Sequence, residues 1–176
     1  MTDERSVTIL RTERLRLREL TLEDAEFIHE LVNDADWLRY IGDKGVSTLD
    51  DARRYLREGP LASYARNGFG LWCVELLATS EALGICGLLR RDTLPDVDVG
   101  FAFLARHRGR GYAREAARAT LEHGFDSLRI ARIVAITSPD NFASQRVLES
   151  VGMRFETAVR LPPGEEDLSL YSLSRP

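Results

Sequence analysis

Apolar and polar positions change their period several times along the 176-residue chain, and each change predicts a change of element. "RLRLREL", Arg14 to Leu20, alternates strictly, with Leu15 and Leu17 on one face and arginines on the other. That is the pattern of a half-exposed strand. "TLED" then opens a helix, with Thr21 as cap and Asp24 answering it, and Ala25, Ile28, Leu31, Val32 and Ala35 give the apolar stripe. A second helix starts at "STLDDARRYL", capped by Thr48 or Ser47, with Leu49, Ala52, Tyr55 and Leu56 facing inward. "EGP" around Gly59 is expected to close it.

The period then falls to that of strands. "FGLWCVELL" and "ALGICGLLRR" flank a short polar turn and predict an antiparallel hairpin. "DVDVGFAFL" follows, with Val97, Val99, Phe101 and Phe103 on one face and Asp98 on the other. From Ala113 to Leu128 apolar or small residues recur at spacings of three and four without a break, the strongest helical signal in the chain. "ARIVAIT" reads as a buried strand and "SPDNFASQRVLESVG" as a turn and a helix ending at Gly152. Two strands, "MRFETAVRL" and "LSLYSLS", close the chain around the acidic turn "PPGEED". The order β-α-α-β-β-β-α-β-α-β-β predicts one mixed α/β (α+β) domain over residues 1–176, whose central strand-helix-strand unit can pair in parallel.

Composition narrows the function classes. A formal net charge of -4 disfavours nucleic-acid binding through overall charge, and no extended basic face with interleaved aromatics supports it locally. Lys44 is the sole lysine, so an arginine at any one position carries less functional weight than usual. Cys73 and Cys86 lie in strand-like runs without metal or disulfide spacing, which points to buried reduced thiols. "MTDERSVTILRTERL" has charges throughout and reads as neither a signal peptide nor a membrane span, so the expectation is a cytoplasmic protein without membrane contact. His29, His107 and His123 fall on polar positions and are expected at the surface.

The candidate chemistry sits at "RHRGRGYAREAARA", where the alternating strand gives way to the long helix. A helix start exposes unpaired N–H groups, and glycine lets backbone approach a ligand closely. Gly109 and Gly111 would therefore let the amides from Arg108 to Ala113 converge on phosphate oxygens, with Arg106, Arg108 and Arg110 adding charge. The Walker pattern lacks its Lys-Ser/Thr pair here. The dinucleotide fingerprint fails where Arg114 stands in place of a third glycine. Taken alone, the remaining R-x-x-G-x-G is equally a phosphate site and a solvated turn.

In context, R-x-x-G-x-G between an alternating strand and a long helix resembles the coenzyme A signature of the GNAT acetyltransferase superfamily. "TERLRLRELTLEDAEFIHELVND", "LGICGL", "VDVGFAFLARHRGRGYAREA" and "NFASQRVLESVGMRFE" are similar, in this order, to its RimJ/RimL-like branch, over nearly the whole chain. The resemblance implies a mixed sheet with a splayed parallel strand pair and acetyl-CoA lying in the gap. Phe103 and Leu104 would meet the pantetheine and thioester, and the Arg106–Ala113 segment, Tyr112 included, would hold the pyrophosphate. Many relatives place a tyrosine acid where this chain has Leu148. The branch's N-x-x-S matches Asn141, which would bind pantetheine, and Ser144, which would donate to the sulfur. The same two residues would serve equally as a helix cap.

Asp98 matches an acidic position before the family's I/V-G-Y/F and is the candidate base, or else an exposed strand carboxylate. Glu115 matches a family glutamate but lies off the apolar stripe, which suggests helix structure or solvent. Trp37 and Tyr40 between the first two helices, with Glu165, Glu166 and Asp167 in the last turn, would line an acceptor pocket for a cationic amine. The implied activity is acetyl transfer from acetyl-CoA to a primary amine without metal, with a homodimer plausible by resemblance. A non-catalytic acyl-CoA-binding module is the alternative.

Overall fold

In the computed structural model, which describes residues 6–164 and 166–175, the alternating "RLRLREL" forms β2 (Leu15–Arg18), preceded by a short β1 (Thr8–Arg11). The Thr21–Asp24 capping box is made, around a 3-10 turn at Leu22–Asp24 that leads into α1 (Ala25–Val32). "DADWLRY", expected as a loop, is a short helix α2 (Ala35–Tyr40), because the Asp34 side chain accepts from the Asp36 amide and caps it. Ala35 thus starts a new helix instead of extending the α1 stripe.

The second helix does not close at Gly59. From α3 (Leu49–Leu56) the backbone continues through a π turn, Arg57–Leu61, into α4 (Ala62–Asn67). Pro60 lacks an N–H and would clash with the carbonyl four residues back in an α-helix; the wider π turn accommodates both defects. Gly68, at φ 76°, ends the helix in the left-handed conformation.

The hairpin is β3 (Leu71–Leu76) with β4 (Ala82–Leu89), followed by β5 (Val97–Phe103) and the long α5 (Tyr112–Asp126). Then come β6 (Arg132–Thr137), α6 (Phe142–Ser150), β7 (Arg154–Val159) and β8 (Leu168–Ser174). Among the described residues the eight strands form one sheet in the order β1-β2-β3-β4-β5-β6-β8-β7, and β5–β6 is its parallel pair.

Both faces of this sheet are covered. Leu15, Leu17, Trp72, Val74, Leu88, Val97 and Val99 pack with Ala116, Ala117, Leu121 and Phe125 of α5. On the opposite face Cys73, Ile85 and Leu104 join Ile28, Leu31, Ala52 and Leu56 of the helices α1 and α3. Two-sided burial explains why β3 and β4 read as nearly continuous apolar runs. It also removes β2's arginines from simple exposure: Arg18 pairs with Asp24 at 2.8 Å and with Glu75 at 2.5 Å, and Glu75 is itself buried. Both cysteines are buried, and burial pushes each thiol up to about 12.

Candidate active site

The parallel ladder between β5 and β6 consists of Val97 opposite Ile133 and Asp98 opposite Val134. Beyond Asp98 the strands part: β5 stays with β4 as far as Phe103, and β6 stays with β8 as far as Thr137. Alternation fixes which groups face the opening. The Leu104 amide donates to Leu83 O at 3.0 Å, so Leu104, Ala102 and Gly100 turn to β4. Phe101 and Phe103 therefore present their backbone groups to the gap. Leu104, expected at the gap, turns no backbone N–H to it, whereas Phe101 does. The Phe103 carbonyl already accepts from Arg108 Nε at 3.0 Å, which leaves its N–H.

At the C-terminal end of β5 a 3-10 turn, Ala105–His107, leads into Gly109 (φ 75°) and Gly111 (φ 81°), both left-handed, and then into α5. These two positions require glycine, since a Cβ is strained at such φ. Arg108 N–H is spent on Ala105 O at 3.2 Å, so it leaves the expected amide set. The amides from Gly109 through Arg114 donate to no other group among the described residues. Such a run of unpaired donors at the N-terminus of α5 is suited to an anion.

Two of the three arginines of the loop are paired with carboxylates. Arg106 pairs with Glu30 of α1, and Arg108 reaches Asp34 at 2.7 Å and Asp36 at 2.6 Å, so both fasten the loop to α1 and α2. Burial would push Asp34 up, but the Arg108 guanidinium holds its carboxyl below the ordinary range. Arg110 stays exposed. His107 is buried, not at the surface, and its Nε2 lies 3.1 Å from Glu81 without hydrogen-bond alignment. His123 is half-buried with its ring edge-on to Trp72, and burial pushes its pKa down.

Behind the loop stands a cluster that sequence reasoning left out. Thr12 Oγ1 donates to Glu115 Oε1 at 2.6 Å, as does the Arg14 amide at 2.9 Å, while Arg14 Nε donates to Glu115 Oε2 at 2.7 Å. Glu115 is thus neither a solvated helix residue nor idle. Burial opposes its charge, yet these donors hold its carboxyl below the ordinary range. The signal available in sequence was the off-stripe glutamate itself.

Asp98 lies on the face opposite the valines but is 1 % exposed, so it is not an exposed strand carboxylate. Arg91 Nε contacts both its oxygens, at 3.1 and 3.2 Å. Burial pushes its pKa up, against the opposing pull of Arg91. At the end of β6, Asn141 Oδ1 accepts from the Ser144 amide at 3.2 Å and so caps α6. The Ser144 side chain is half-buried in the first turn, and Leu148 points into the core.

Of the residues expected at an acceptor pocket, Trp37 and Asp167 are taken up elsewhere. Trp37 is 5 % exposed within the core under α1 and α3, so it cannot offer an open aromatic face; its Nε1 is buried without a partner among the described residues. Tyr40 is half-buried, with Arg39 stacked 4.7 Å from its ring centre. Glu165 lies outside the described residues, and Asp167 is bonded to Arg160 at 2.5 Å. Among the described residues no group of three or more His, Cys, Asp or Glu could hold a metal ion, and no helix is long and apolar enough to cross a membrane.

Comparison with known proteins agrees with this geometry. The model of the acetyltransferase (GNAT) domain matches residues 14–154. An uncharacterized protein, YkkB, of Bacillus subtilis is 35% identical over 158 residues, covering 87% of this chain and 89% of its own. The crystal structure of a GNAT-family acetyltransferase from Bacillus anthracis superposes with a TM-score of 0.78 at 30% identity, over 94% of this chain and 97% of that one. A spermidine N-acetyltransferase from Vibrio cholerae, solved with CoA and spermine, shares the fold with a TM-score of 0.76 at 18% identity, over 93% and 96% of the two chains. With the splayed strand pair and a family match over most of its length, the chain belongs to the GNAT family of N-acetyltransferases.

Proposed function

We propose that the protein transfers an acetyl group from acetyl-CoA directly to a primary amine, on a small molecule or a protein N-terminus. One observation carries the reading: β5 and β6 part after Asp98, and the run of unpaired amides from Gly109 to Arg114 lies where β5 ends. The backbone groups that Phe101 and Phe103 leave without a ladder partner suit the amides of a pantetheine arm, because strand-edge groups pair with an extended ligand as with another strand. The run of unpaired amides is the cradle for the pyrophosphate. Phosphate binding falls to backbone amides, with Arg106 and Arg108 holding the loop in place.

Direct transfer needs a deprotonated amine, since an alkyl ammonium has no lone pair to attack with and a pKa near 10. Asp98, at the root of the gap, takes that proton directly or through water. The amine nitrogen bonds to the thioester carbon, an N–H of the splayed strand stabilises the oxyanion, and the C–S bond breaks. The departing thiolate takes up a proton from Ser144, which regains one from the acylated nitrogen as it becomes a neutral amide. Asn141 contributes by capping the turn that carries Ser144, and its Nδ2 remains for the pantetheine.

A second reading, thioester binding without transfer, has one observation in its favour: Arg91 holds both oxygens of Asp98. Thiol release from acetyl-CoA, followed across a panel of amines, separates the two. Direct transfer predicts saturable release with some amines and a fall of about 10²–10⁴ in kcat for the Asp98→Asn, Ser144→Ala pair, with coenzyme A binding retained. Binding without release by the wild-type chain favours the second reading.

A further inference from the structure

We propose that Arg14, held by Glu115, positions the phosphate-binding loop by fixing the orientation of the Arg110–Gly111 peptide. The inference rests on the reading that this loop holds the pyrophosphate of coenzyme A.

Arg14 lies in the turn between β1 and β2, far from the loop in sequence, and its NH1 donates to Arg110 O at 3.0 Å. A trans peptide is planar, with its carbonyl and its N–H on opposite sides. Pinning Arg110 O towards Arg14 therefore turns Gly111 N–H away from the β1–β2 turn and into the cradle. This peptide needs pinning, because glycine tolerates both signs of φ and gives the segment little intrinsic preference. A flipped peptide would present a carbonyl oxygen to a phosphate, exchanging an attraction for a repulsion.

Arg14 is itself held on several sides. Glu115 accepts from its Nε and its backbone amide, Thr12 shares the same carboxylate, and the guanidinium lies 4.6 Å from the centre of the Tyr112 ring. A Cβ added at Gly111 would come within 3.4 Å of Arg14 NH2, so the arginine closes the back of the loop. Glu115 and Tyr112 both belong to the first turn of α5. The helix whose N-terminus would bind the phosphate thus carries the groups that hold the arginine orienting the loop. Arg14 touches no reacting atom in this arrangement and is a positioning residue.

The test compares two ligands that differ in the phosphates. Binding of coenzyme A and of pantetheine, which lacks the pyrophosphate and nucleotide, is titrated against the wild-type protein and the Arg14→Ala, Arg14→Lys and Glu115→Gln variants. Melting temperatures of the unliganded proteins check folding. Arg14→Ala is expected to weaken coenzyme A by roughly ten- to hundredfold, the scale of a charge-assisted hydrogen bond, while pantetheine affinity stays within about twofold. Arg14→Lys restores part of the loss, because an ammonium can still donate to Arg110 O, and Glu115→Gln falls between. An equal loss for both ligands, or none for coenzyme A, overturns the positioning role. If the wild-type protein binds the two ligands equally, the phosphate-loop reading falls first, and this inference with it.

Discussion

At the scale of single residues, Asp98 and Glu115 show how the same side-chain type is pushed in opposite directions. Glu115 collects donors from Thr12 and Arg14 and is held ionised, which suits an anchor. Asp98 is buried with Arg91 alone among the described residues, and burial pushes its pKa up, which suits a group that must take a proton. A base works only when ionised, so activity should rise with pH along an acid limb centred above the ordinary aspartate value of about 3.9. The Asp98→Asn variant should lose that limb, read as log kcat/KM for the amine against pH. A limb unchanged in the variant assigns the base elsewhere.

At the scale of elements, the β4–β5 pair carries the site and depends on the absence of one side chain. A Cβ on Gly84 would sit 2.8 Å from the Phe103 Cα, against backbone that cannot swing aside. Gly84→Ala should therefore destabilise the fold by about 1–3 kcal/mol, as overpacking in a close-packed core does. Gly100, on the facing strand, would meet only the Leu89 and Leu71 side chains, at 3.5 and 3.7 Å. Gly100→Ala should stay within about 0.5 kcal/mol of wild type. Urea unfolding of the two variants side by side decides whether close strand approach, rather than glycine content, explains the requirement.

For the whole molecule, the splayed sheet and the loop leave backbone groups unpaired that a ligand would satisfy, so binding should be felt as stability. A ligand at a hundred times its Kd adds about 2.7 kcal/mol, which for a chain of this size is about 5–10 °C in Tm. Acetyl-CoA should give that shift in a thermal melt. Acetate, which has the acyl carbon chain but neither phosphate nor pantetheine, should not. No shift with acetyl-CoA would count against the gap and cradle as its site.

Much of this was legible from the chain because local periods are set locally. Alternation placed β2 and β5, the three-and-four spacing placed α5, and the glycines marked the turn between strand and helix. Pro60 misled, because a proline stops an α-helix in isolation, whereas here the backbone widens into a π turn and Pro60 is buried. The arginines of the loop were legible only in part: charge shows in sequence, but its partner does not. Glu30, Asp34 and Asp36, which take up Arg106 and Arg108, lie some seventy positions away.

"RHRGRG" by itself determined that a tight, glycine-dependent turn joins a strand to a long helix, since positive φ and helical period belong to short stretches of backbone. Only the tertiary structure decided which donors stay unpaired, that Leu104 turns away from the gap while Phe101 turns towards it, and that Arg14 and Glu115 stand behind the loop. Those facts depend on strands and turns brought together from distant parts of the chain, and on which hydrogen bonds their meeting satisfies and which it leaves open.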